Sequence, residues 1–221
     1  TSDNGPQFGG KGEQCANRFN CNFRGAKGVT FEGGIRVPMI IRWPDGLPVK
    51  REVREMVHFA DWFPTILAMT GVPLPKDHLP LDGIDQLPVV RGEKGKVQPQ
   101  RCWQWNRYTP VPNCNAAIRD GDWKLVRPTI REAMDVPDIK WLMVSMYGPE
   151  HFIHNGVIRE PDPPRTIPAP PPAELFNIAE DPLEKTNLAE RYPDRVRTLS
   201  RDLEEWFEAV EKDRRSIADV W

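Results

Sequence analysis

GAKGVTFEGGIRVPMIIRWP, residues 25 to 44, changes character halfway along. Its first ten residues hold four glycines, so they read as an ordered loop in which backbone can approach backbone or a ligand closely. Lys27 stands in the middle of that loop, an ammonium that can be aimed at an anion. The second half is different. VPMIIRW, residues 37 to 43, is a short apolar run with β-branched members, stopped by Pro44, Asp45 and Gly46, and it predicts a strand buried on both faces.

Upstream, the glycine-rich polar character extends back to residue 1, and loops of that length are usually functional or disordered. SDNG at residues 2 to 5 places a carboxylate, Asp3, beside an amide carbonyl, Asn4, two hard oxygen donors of the kind calcium or magnesium takes. By itself such a pair before glycine is a turn, because both side chains bond their own backbone. Downstream, Asp61 is placed to cap a helix through WFPTILAMT, with Pro64 in its first turn and Gly71 just past its end. Strand, connection and helix together predict the tail of an α/β layer. Residues 72 to 100, rich in proline, glycine and charge, read as a crossing segment.

Beyond that segment the pattern turns antiparallel. CWQW begins a strand, and AAIR and DWKLV flank Asp120-Gly121, a strong hairpin signal. ELFNI at 174 to 178 adds a strand closed by Asp181-Pro182. Val196, Leu199, Leu203, Trp206 and Val210 then recur at helical spacing, so an amphipathic helix can cover one face of the sheet. Trp123 and Trp206 read as core. Residues 160 to 174 hold seven prolines and predict an extended surface insertion.

Composition excludes several classes of function. Thirty Lys and Arg against 32 Asp and Glu leave no global field for nucleic acid or an anionic membrane, so any anion site is local. The longest apolar runs fall far short of the roughly 20 residues that span a bilayer. No signal peptide stands at the start. The four cysteines, at 15, 21, 102 and 114, lack CxxC spacing. Pairs 15 with 21 and 102 with 114 can each close a small loop in an oxidising compartment, and free thiols are the default.

SDNG, a loop of some twenty residues, then G-x-K-x-x-x-x-E-G-G-x-R-V-P resembles the sulfatase family in order, spacing and identity. HFADWFPTILAMTG, IRDGDWKLV and ELFNIAEDPLEKTNLAE agree with the same family, so the resemblance runs the length of the chain except for 127 to 160 and the proline-rich segment. Within the family it is most similar to the arylsulfatase and N-acetylgalactosamine-6-sulfatase type. The resemblance implies an alkaline-phosphatase-like α/β fold. Residues 1–98 are then the C-terminal portion of its catalytic domain, and 99–221 a small antiparallel sheet with a long C-terminal helix. It implies that Asp3 and Asn4 ligate one divalent cation, normally calcium with magnesium possible, and that Lys27 is a catalytic and substrate-binding residue contacting a sulfate oxygen. Glu32 and Arg36 read instead as an ion pair holding the turn.

The family nucleophile, a cysteine in a C-x-P-x-R context converted to formylglycine, matches none of CANR, CNFR, CWQW or CNAA. The family's other metal ligands and its site histidines precede the metal loop. His58, His78, His151 and His154 all follow it and read as surface or core. The expectation is therefore a fragment of a sulfuric ester hydrolase, cut before the strand and ligands that precede Thr1, with no turnover and weak calcium binding by itself. Its partner is a sulfated small molecule or glycan, and the compartment implied is periplasmic, extracellular or lysosomal. The rivals are a phosphatase or phosphodiesterase of the same superfamily and a non-catalytic sulfatase-derived binding protein. Trp103 and Trp105 share a strand face and read as core, with stacking on a sugar or aryl ring as the other use.

Overall fold

A computed structural model describes residues 1–7, 19–93, 100–107, 109–135 and 164–218. Two compact units divide it: residues 38–101 form one, and residues 2–37 with those from 102 onward form the other. These units do not coincide with the expected division at 98/99. The C-terminal change falls close by, between Arg101 and Cys102, but residues 2–37 pack with the sheet that follows. The reason is a set of long-range side-chain bonds described below.

In the larger unit the hairpin forms where Asp120-Gly121 predicts it. Strands β2 (Ala116–Asp120) and β3 (Trp123–Arg127) pair antiparallel with Asp120 opposite Trp123, and Gly121 takes φ 57° in the turn. Strand β1 (Arg101–Gln104) lies beside β2, and β4 (Glu174–Asn177) pairs antiparallel with β3, so the order is β1-β2-β3-β4. Ile118, Leu125 and Leu175 stand in register across the sheet and meet Leu199 and Leu203 of the long helix (Pro193–Ala218). Proline opens that helix at a position whose N–H has no helical partner anyway.

The helix covers one face as expected, with a shifted stripe. Leu199, Leu203, Phe207 and Glu211 are buried, following the i, i+4 row, whereas Val210 is 47% exposed. Glu211 is held there by Arg214 and Arg215. Trp123 and Trp206 pack at the edge of this core, and Trp123 meets Tyr192 edge-on at 5.0 Å. The opposite face of the sheet carries Ala117, Val126 and Phe176, and the Thr30–Glu32 block closes over it with Phe31 edge-to-face on Phe176 at 6.4 Å. A one-turn helix, α1 (Glu32–Ile35), is the EGG turn itself.

The smaller unit departs from expectation at VPMIIRW. Residues 37–43 join no ladder among the described residues; exposure alternates along them and Ile40 is 88% exposed. Extended backbone becomes a strand only beside a neighbour that takes its N–H and C=O groups, and none is in place. Helix α2 (Trp62–Thr70) forms as predicted and ends on Gly71 at φ 68°. Asp61 is not its side-chain cap. It accepts from His58 N–H in a preceding 3-10 turn (Phe59–Asp61) and lies fully buried, paired with Arg101 and bonded by Gln86 and the Ile84 N–H. The crossing segment contains a further short helix, α3 (Leu87–Arg91), which supplies buried Leu87, Val89 and Val90.

No disulfide joins Cys102 to Cys114, so the second disulfide option does not form. Cys114 is buried on Ile130, whose N–H meets its sulfur at 3.2 Å, and burial pushes its thiol pKa up. Cys15 lies outside the described residues. Of the proline-rich segment, the described part is mostly exposed, though Ile167 packs by Cys114, Ile130 and Ala133. No described helix is long and apolar enough to cross a membrane.

Candidate active site

Glycine packing joins the two blocks that carry the site. Gly5 N–H donates to the Gly34 carbonyl at 2.8 Å, and Lys27 N–H donates to the Pro6 carbonyl at 2.9 Å. A Cβ on Gly5 would stand 1.8 Å from the Gly33 carbonyl oxygen, and one on Gly33 would stand 2.2 Å from that of Gly25. No side chain fits between these backbones. The distant SDNG and GAKG…EGG stretches therefore become one surface, with Asp3 and Lys27 exposed and Asn4 half-buried.

Within that surface, Asn4 Nδ2 donates to Asp3 Oδ2, and Ser2 Oγ reaches Asp3 Oδ1 at 3.4 Å. Ser2 Oγ also donates to the Asn4 backbone carbonyl at 3.0 Å, and the Asn4 side-chain oxygen, Oδ1, accepts no hydrogen bond among the described residues. Two hard oxygens in adjacent residues suit part of a calcium or magnesium shell. They are only part of one, since among the described residues no cluster of three His, Cys, Asp or Glu completes it.

A buried charge cluster beneath holds the turn. Lys124 points from β3 to the face that the EGG block covers, and its Nζ lies 2.9 Å from both Glu32 Oε1 and Glu184 Oε1. Glu184 also accepts the Glu32 N–H at 2.6 Å, and Arg36 stands 3.6 Å from Glu32. The structural reading of Glu32 and Arg36 holds, but the principal partner of Glu32 is Lys124. Burial pushes the Glu184 carboxyl up; Lys124 and the Glu32 N–H oppose this, and the Glu32 carboxylate adds to it.

Asn115 is the second clamp. Its Oδ1 accepts the Thr30 N–H at 3.1 Å, and its Nδ2 donates at 2.8 Å to the carbonyls of both Gly28 and Trp105. All three bonds are to backbone, two of them to residues that follow Lys27 in its turn. Neither Lys124, Glu184 nor Asn115 announces this in sequence, because, Trp105 apart, their partners lie from 60 to 152 residues away and local pattern carries no such pairing. His58 and His78 belong to the smaller unit: His58 caps the 3-10 turn, accepting the Ala60 N–H at Nδ1, and exposed His78 bonds Leu79 O. His151 and His154 lie outside the described residues.

Comparison with known proteins bears on these residues. The family described as N-sulphoglucosamine sulphohydrolase, C-terminal, matches residues 25–140, a little over half of the chain. A mouse steryl-sulfatase is 35% identical over 126 residues, covering 56% of this chain and 19% of that enzyme. An N-acetylgalactosamine-6-O-sulfatase of Bacteroides thetaiotaomicron is 28% identical and covers 92% of this chain and 35% of that enzyme. A solved structure described under metabolism of multiple glycosaminoglycans by the same organism superposes with a TM-score of 0.54 at 25% identity, covering 86% of this chain and 32% of that one. The chain thus spans about a fifth to a third of the length of these relatives. With the family matched over the glycine turn, strands β1 to β3 and the clamp residue Asn115, the chain belongs to the sulfatases, as the C-terminal region of the N-sulphoglucosamine sulphohydrolase family.

Proposed function

We propose that the full-length protein is a sulfuric ester hydrolase in which Asp3 and Asn4 hold one divalent cation, calcium in preference to magnesium, and Lys27 binds a sulfate oxygen. The observation that carries this reading is the backbone union of SDNG with the lysine turn through Gly5, Pro6 and Gly34. The chemistry is coherent. Sulfate ester cleavage builds negative charge on a tetrahedral anion and its leaving oxygen, and an ammonium fixed beside it stabilises that charge electrostatically. The cation would supply the same stabilisation as a Lewis acid. The nucleophile and remaining metal ligands belong to the rest of the protein. Kinship with enzymes named for a sulfated sugar supports a sulfated glycan or small sulfate ester as substrate, and the location proposed with it is periplasmic, extracellular or lysosomal-type.

The test is hydrolysis of 4-nitrophenyl sulfate beside 4-nitrophenyl phosphate by the full-length protein. Lys27→Ala is expected to lower kcat about 10²- to 10³-fold on the sulfate, the scale for losing one positioned donor. Asp3→Ala should do likewise and abolish a calcium-dependent rise in Tm. Preference for the phosphate ester would move the protein to the phosphoryl-transfer enzymes. Calcium-insensitive stability with no turnover of either ester would make it a binding protein.

A further inference from the structure

Trp105 is 41% exposed, although it follows a strand whose other tryptophan, Trp103, packs into the core with Phe31. Its position is closely determined. The Trp105 N–H donates to the Asn115 carbonyl at 3.2 Å, and its own carbonyl accepts from Asn115 Nδ2 at 2.8 Å. The same Asn115 amide grips the Gly28 carbonyl, next in sequence to Lys27. Gly28 has φ 93°, and a Cβ built on it would stand 3.7 Å from Trp105 Cζ3, so the indole edge lies against the lysine turn. The Arg107 guanidinium covers the ring at 4.7 Å from its centroid. That guanidinium has no carboxylate partner among the described residues, and its buried Nε–H lacks an acceptor.

An exposed aromatic ring against the turn that carries Lys27, with a cation on its face that has no carboxylate partner among the described residues, suits a particular ligand. The ring stacks on the C–H face of a sugar, and the cation attracts a charge on that sugar or its neighbour. A flat neutral aryl ester could use the ring and would leave the cation unused. We propose that Trp105 and Arg107 form the subsite for the sugar that carries the sulfate and select substrates bearing a second anionic group, with Asn115 as the positioning residue. This rests on the sulfatase reading above and narrows its substrate.

The experiment compares kcat/KM of the full-length protein on a hexuronate–N-acetylhexosamine 6-sulfate disaccharide and on 4-nitrophenyl sulfate. Arg107→Gln is expected to lower the disaccharide-to-aryl ratio at least tenfold, mainly through KM, and Arg107→Lys to recover part of it. Trp105→Ala should lower the same ratio about tenfold, with Trp105→Phe restoring most of it. Asn115→Ala should raise KM for the disaccharide. Equal losses on both esters, or no loss, would overturn the subsite. Should the wild type cleave neither ester, the sulfatase reading falls. Calorimetric binding of the disaccharide to wild type, Trp105→Ala and Arg107→Gln would then still decide the subsite: weaker binding by the variants supports it, equal binding or none overturns it.

Discussion

The two units of the chain solve the same problem differently. In the larger one, apolar residues meet apolar residues of the same chain: Leu125, Leu175, Leu199 and Leu203 are each no more than 1% exposed, and the sheet is covered on both faces. In the smaller one, order comes from a buried polar hub, Asp61 with Arg101 and Gln86, while Ile40 and Leu79 are more than 80% exposed and Phe63 and Ile66 about half. An apolar pattern is a demand for a partner, and in the smaller unit Leu87, Val89 and Val90 are buried while these four side chains are not covered among the described residues.

The largest expected effect lies in the larger unit. Lys124→Met leaves buried Glu184 without its cation and Glu32 with only the half-exposed Arg36, and should cost about 3–5 kcal/mol in urea unfolding. A loss under about 1 kcal/mol would mean that the EGG turn is held by glycine packing alone. Leu203→Ala, at the centre of the helix-sheet core, should cost about 2–5 kcal/mol. A markedly smaller loss would weaken the contrast between the two units.

In the smaller unit the informative perturbation is pH. Burial, then Arg101, lowers the His58 pKa from its ordinary 6.5, with Asp61 and Asp82 opposing. The unfolded chain therefore takes up a proton that folded His58 resists, so this contribution is fully present above about pH 6.5 and is lost as pH falls toward the lowered folded value. Asn at position 58 keeps an acceptor for the Ala60 N–H and cannot titrate. His58→Asn should flatten the fall in Tm between neutral pH and about pH 5, and an unchanged slope would assign the acid sensitivity elsewhere. Smallest of all, Ile40→Ser should change the stability of this chain by less than about 0.5 kcal/mol. The same change in the full-length protein should cost more than 1 kcal/mol if Ile40 is covered there, at the scale of burying such a side chain.

Much of the local structure was legible from residues 116–127 and 193–210 because the determinants are near neighbours. Asp120-Gly121 specifies its own turn, and leucines three or four apart specify a helix face. The pattern misled where the determinant is distant. Val210 fits the period as well as Phe207 does, yet the buried row runs in steps of four from Leu199 and Leu203, the residues packed on the sheet, to Phe207 and Glu211. Asp61 has the composition of a cap, yet Arg101, forty residues on, draws it into the interior.

By itself the sequence determined the family, the loop that bears Asp3 and Asn4, and the lysine turn, because these rest on residue types at short spacing. Only the tertiary structure decided how they meet. Three glycines bring backbones together where no side chain fits, Lys124 anchors the turn from across the sheet, and Asn115 binds Gly28 and Trp105 at once. Those bonds join groups that chain order keeps far apart, and the burial that makes them strong exists only once the sheet has formed.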